Sequence, residues 1–127
     1  MHNNWGRSTL WTVRSNGSSL QQLTGVGHRV GDPAWSPDGK RIAYTSGSSV
    51  AVANADGSGA HTLLRNFIGR YTWSPDGKSL AIVRFIRGCG PSPRCVVDLD
   101  TITADGRSRH HVATGPIDYT DTPGWTR

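Results

Sequence analysis

Glutamate is missing from this chain: all nine acidic residues are aspartate, and the basic side is equally skewed, with twelve arginines and two lysines. Apolar runs are short, and none approaches the 18 residues that a membrane-crossing helix needs, so membrane insertion is not expected. Residues 1–7 hold no apolar signal-peptide core, which predicts either a cytosolic chain or one that lacks its natural beginning. Strong helix formers are scarce beside sixteen glycines and seven prolines, a balance that excludes a helical domain and predicts many tight turns. Cysteine is limited to Cys89 and Cys95. Their spacing, without a second pair or neighbouring histidines, does not fit zinc. A disulfide stapling the loop between them is expected, contributing about 2–3 kcal/mol; the alternative is two free thiols. A bridge would point to an oxidising compartment. The net charge of +5 favours an acidic partner. There is no long basic run, RNP-like string or recognition-helix pattern, so nucleic acid is not the expected partner.

What the chain does contain is a repeat. Trp35-Ser36-Pro37-Asp38-Gly39 recurs as Trp73-Ser74-Pro75-Asp76-Gly77, 38 residues later, each copy followed by lysine. The copies extend through Ile42-Ala43 and Leu80-Ala81. A second periodic element, Asn16-Gly17, Asp56-Gly57 and Asp105-Gly106, follows each hydrophobic run. Thr122-Pro123-Gly124-Trp125 repeats Asp32-Pro33-Ala34-Trp35. Self-similarity at about 40 residues marks one supersecondary unit that has been copied.

Within one unit, Pro33 to Ser36 suits the start of an edge strand, because proline offers no N–H. Ser36-Pro37-Asp38-Gly39 is a hairpin turn: proline presets φ, aspartate accepts local N–H bonds, and glycine takes positive φ. Strands are then predicted over Arg41–Ser46, Val50–Ala55 and Ala60–Arg65. Ile42-Ala43-Tyr44 and Leu80-Ala81-Ile82-Val83 are apolar on successive residues, so both faces of each sheet should be covered. Four short antiparallel strands, buried on both faces and repeated, describe the blades of an all-β propeller. The division predicted is a partial blade at 8–24, full blades at 32–65 and 70–114, and the first strand of another at 121–127. The eleven strands fall short of even a four-bladed ring, so a piece of a larger propeller or a self-associating protomer is expected.

The pattern P-x-W-S-P-D-G-K-x-I-A at 33–43, its copy at 73–81 and the later D-G turns resemble the PD40, or TolB-like, WD40-type propeller repeat. That resemblance implies the fold, with Trp35, Pro37, Asp38, Gly39, Trp73, Pro75, Asp76, Gly77 and Trp125 as its structural motif. It implies function more loosely. Proteins with this repeat include periplasmic interaction modules, propeller domains of prolyl-oligopeptidase-type and tricorn-like peptidases, and sensor modules.

No catalytic residues are expected. Asp56-Gly57-Ser58-Gly59 lies where the repeat demands a turn, and no G-x-S-x-G occurs. His110 and His111 are adjacent on a predicted strand and point to opposite faces, so they cannot share a metal. Val96-Val97-Asp98-Leu99-Asp100-Thr101 superficially resembles the start of a haloacid-dehalogenase-type phosphatase, yet the repeat already explains it as a third strand. Asp38 and Asp76 lack the acidic neighbours that calcium requires. No cofactor or metal is expected.

Propeller topology sorts the turns onto two ends. The turns at 16–19, 36–40, 56–59, 74–78 and 105–108 open on one end, with nearly balanced charge. The other end holds the loops that depart most from the repeat, at 24–32, 84–96 and 113–121, and its His28, Arg29, Arg65, Asn66, Arg70, Arg87, Arg94 and Tyr119 form the predicted binding face, suited to an acidic peptide or protein. The function expected is a non-catalytic, TolB-like interaction module, periplasmic or extracellular. The alternative is the propeller portion of a prolyl-oligopeptidase-type serine peptidase that limits substrate access.

Overall fold

The two WSPDG strings form the same turn. In the first, Gly39 N donates to the Ser36 carbonyl at 2.9 Å, and Ser36 N to the Arg41 carbonyl at 2.9 Å. Asp38 Oδ1 accepts from the Ser36 hydroxyl at 2.6 Å and from Lys40 N at 3.0 Å. The second copy repeats this with Ser74, Asp76, Gly77 and Lys78. Gly39 and Gly77 both have φ of 71°, a left-handed conformation that glycine adopts without a Cβ penalty. Local chemistry therefore sets each hairpin before any packing.

The computed structural model describes residues 8–25, 29–67, 69–87 and 95–117, without the side chains of Arg87, Cys95 and Ile117. Strands β1 (Trp11–Thr12) and β2 (Gln21–Gln22) form a two-stranded sheet. Next come β3 (Val30–Trp35), β4 (Arg41–Ser46), β5 (Ser49–Asn54) and β6 (His61–Leu64), which pair in chain order. Strands β7 (Gly69–Trp73), β8 (Ser79–Arg87), β9 (Cys95–Thr103) and β10 (Arg109–Ile117) do the same. Every pairing is antiparallel. The fold class is all-β, with propeller blades of four antiparallel strands.

Strand boundaries differ modestly from expectation. The first strand of each blade starts earlier than Pro33 or Arg70, at Val30 and Gly69, and the third begins at Ser49. Its fourth strand is shorter, four residues from His61 to Leu64. The second blade reaches Ile117, because β8, β9 and β10 each run nine residues and continue pairing where loops were expected at 84–96 and 113–121. The strand expected at 121–127, with Trp125, lies outside the described residues.

Alternation along each strand sends side chains to two interfaces. Ile42, Tyr44, Ala51 and Ala53 face backwards and pack with Val30, Leu10 and Leu23 against the first, partial blade. Ala43, Val50 and Val52 face forwards and meet Trp73, Leu80, Ile82 and Ile102 of the next blade. Leu80, Ile82, Val50 and Val52 are the largest fully buried side chains. At the turn end, the ring nitrogens of His61 reach the carbonyl oxygens of Gly59 and Ala104, at 2.9 and 2.8 Å, and so link the two blades. The first strands β3 and β7 also touch, which makes theirs the inner edge of the arc.

Candidate functional site

The inner strands diverge from regular pairing where they face each other. The β3 ladder slips between Gly31 and Ala34, so Asp32 and Pro33 leave the register, and Asp32 takes φ of 47°. Proline has no N–H to lose from a ladder, and aspartate tolerates the left-handed region better than most residues. Opposite them, Gly69 lies so close to β8 that an added Cβ would sit 1.8 Å from the Val83 carbonyl oxygen. The two irregular stretches enclose a cleft of about 500 Å³ lined by Asp32, Pro33, Ala34, Gly69, Arg70 and Tyr71.

Two aromatic side chains fix its walls. The Tyr71 hydroxyl donates to the Asp32 carbonyl, and Trp73 Nε1 donates to the Ala34 carbonyl at 2.9 Å. Burial, reinforced by the neighbouring Asp32 carboxylate, holds the Tyr71 phenol protonated far above its ordinary range. Tyr71 is thus a fixed donor rather than a titrating group.

Arg29, Arg65, Asn66 and Arg70 of the expected binding face are all exposed, at the end of the blades away from the WSPDG turns. None of the three arginines forms an ion pair with a described residue. Arg70 lines the cleft itself, opposite Asp32. His28, Arg94 and Tyr119 lie outside the described residues, as does the side chain of Arg87. The disulfide expected between Cys89 and Cys95 is likewise not shown, because Cys89 and the Cys95 side chain fall in the same category.

A second polar cluster was not anticipated from the sequence. Asp100, with a side chain only 4% exposed, accepts on Oδ2 from Arg109 Nε at 2.9 Å and Nη2 at 2.5 Å. Its Oδ1 lies 2.8 Å from His111 Nδ1. Arg84 Nη2 donates to Asp98 at 3.0 Å and stands 3.6 Å from Asp100. Burial would raise the Asp100 carboxyl, but Arg109 and His111, with Arg84 behind them, pull it below its ordinary value. His111 Nε2 also lies 3.0 Å from the Thr114 hydroxyl, giving the order carboxylate, imidazole, hydroxyl. The Thr114 proton is directed to Asp98 at 2.5 Å, however, which leaves its oxygen as an acceptor rather than a nucleophile. The phosphatase-like string is therefore an antiparallel strand whose aspartates are neutralised by cross-strand cations. Its sequence signal was the i, i+2 spacing of Asp98 and Asp100, matched by Arg109 and His111. Among the described residues, no group of three or more histidine, cysteine or acidic side chains is placed to hold a metal ion.

Four-stranded sheets stacked face to face and repeated at this spacing match solved propellers. Over 83% of its length the chain superposes on TolB from Acinetobacter baumannii, with a TM-score of 0.62 and 20% identity, covering 26% of that chain. The fold is that of a TolB-like PD40 propeller. A putative TolB from Agrobacterium tumefaciens gives a TM-score of 0.60 at 20% identity, covering 87% of this chain and 47% of that one. In sequence, 66 residues are 39% identical to the Tol-Pal system protein TolB of Polaromonas naphthalenivorans, half of this chain and 15% of that protein. No protein-family model matches. This TolB-like propeller thus spans a minor part of each relative's length.

Proposed function

We propose that the chain is a non-catalytic, TolB-like propeller module that binds an acidic protein segment, in the periplasm or outside the cell. One observation carries the reading. Three guanidinium groups, on Arg29, Arg65 and Arg70, stand exposed and without an ion pair to any described residue at one end of the blades, beside a cleft between the inner strands. On that end the described carboxylates are Asp32 and Asp98, the latter already paired with Arg84, whereas the opposite end alternates Asp38, Asp56, Asp76 and Asp105 with Lys40, Lys78 and Arg107. Arginine forks pair bidentately with carboxylates, and exposed charges of one sign steer an oppositely charged partner. The relative's name as a Tol-Pal system protein supports a protein as that partner. Arg87, Arg94, His28 and Tyr119 would extend the same face.

The test is charge reversal. Binding of an aspartate-rich peptide, followed by interferometry across a salt series, should weaken in an Arg65→Glu, Arg70→Glu variant, and its salt dependence should flatten. An Arg87→Glu, Arg94→Glu variant should act in the same direction. Binding that is equal in all three proteins would overturn the proposal.

A further inference from the structure

Asp32 stands apart from the other described aspartates. The carboxylates of Asp38, Asp56, Asp76 and Asp105 accept from hydroxyls and backbone N–H groups of their own turns, and those of Asp98 and Asp100 from arginines. The Asp32 carboxylate has no donor among the described residues, because the bond from the Tyr71 hydroxyl goes to its backbone carbonyl. Arg70, on the other wall of the same cleft, is equally without a described charge partner. No ion pair joins the two.

The backbone that carries both groups is held in place. Tyr71 and Trp73 of β7 donate to the Asp32 and Ala34 carbonyls of β3, the Tyr71 ring lies 6.0 Å from that of Phe67 between centroids, and Gly69 presses on β8. The cleft is thus formed before any ligand arrives. Its volume of about 500 Å³ lies within the roughly 300–1,000 Å³ of small-molecule sites, and Pro33, Ala34 and Tyr71 add apolar wall beside the two charges.

We propose that this cleft binds a small zwitterion, a free α-amino acid or a dipeptide, with the ligand's ammonium group on the Asp32 carboxylate and its carboxylate on the Arg70 guanidinium. A simple anion would gain Arg70 and be opposed by Asp32, and a simple cation would meet the reverse. Only a ligand that carries both charges satisfies both walls. This site goes beyond the acidic-segment reading and does not rest on it, since Arg29 and Arg65 take no part and Asp32 opposes a purely acidic ligand.

An NMR titration of backbone amide shifts in the 127-residue chain tests the site, with alanine and alanyl-alanine as ligands and their N-acetyl and C-amide forms as controls. Saturable binding of either free ligand, with shifts centred on Asp32, Ala34, Arg70 and Tyr71, supports the proposal, and the one bound more tightly identifies the source. Each cap removes one charge and should weaken binding about tenfold or more. Asp32→Asn keeps a residue that tolerates the left-handed backbone, so the variant should fold, as circular dichroism would verify. It should bind the free ligand about tenfold more weakly and no longer distinguish it from the N-acetyl form, while its binding of the aspartate-rich peptide should not fall. Arg70→Gln should likewise erase the difference between the carboxylate and amide forms. Absence of saturable binding by either ligand, equal affinity for free and capped forms, or undiminished binding by folded Asp32→Asn would each overturn the proposal. The charge-reversal result on the acidic peptide would stand independently of these outcomes.

Discussion

Asp100 illustrates how one residue can be read correctly as to its element and missed as to its role. The repeat placed it on a strand, but only the register of β9 against β8 and β10 brings Arg84, Arg109 and His111 around it. Those partners stabilise the charged form, so the folded state binds fewer protons than the unfolded chain as pH falls past the ordinary carboxylate value. Asp38, Asp76 and Asp105 are lowered too, first by the hydroxyls of Ser36, Ser74 and Thr103 and then by backbone N–H groups. The sign follows: their contribution is complete above the ordinary carboxylate pKa of 3.8 and is lost as pH falls through the lower folded values. Thermal unfolding midpoints should therefore drop steeply below about pH 4. In Asp100→Asn that acid slope should be shallower, and the neutral-pH stability lower by about 2 kcal/mol, as expected for losing charged hydrogen bonds. Gly69 makes a second test at this scale. With no room for a Cβ beside the Val83 carbonyl, Gly69→Ala should cost about 1–3 kcal/mol in chemical denaturation, the range for overpacking.

At the scale of the element, the hairpins were legible and the strand lengths were not. Proline, aspartate and glycine act on their own backbone, so the turns at 36–40 and 74–78 follow from five consecutive residues. Substituting Asp38 or Asp76 by alanine should lower stability modestly in each case, because each loses its turn hydrogen bonds, and the two losses should nearly add. A denaturation series on the single and double variants measures both. Where a strand stops, by contrast, depends on its neighbour. Strands β8 to β10 keep pairing because each supplies the next with partners, polar ones included: Arg84 stands opposite Asp98 and His111 opposite Asp100. Bulges at His111/Ala113 and Phe85/Arg87 absorb the irregularity without ending the sheet.

For the whole molecule, the interfaces between blades govern stability unequally. Trp73 is enclosed by the blade before it, so Trp73→Ala should cost about 3 kcal/mol or more, in the range for emptying a large core site. Trp35→Ala should change the unfolding midpoint far less, because half of that side chain already meets solvent. Urea titrations of the two variants give the comparison. The binding end follows the same logic of placement. Arg29 is far in the chain from Arg65 and Arg70, and the three reach one end because Arg29 and Arg70 sit at the starts of β3 and β7 and Arg65 follows the end of β6, an antiparallel neighbour.

From sequence alone come the repeat, its period, the turn chemistry and the all-β class. All of these are local or periodic properties, written within about forty residues. Tertiary structure decided which of two identical tryptophans is enclosed, where β3 buckles to open a cleft, and which aspartates are neutralised. Those outcomes depend on strands from different blades meeting, and the WSPDG string reads the same whether an inner strand lies behind its tryptophan or solvent does.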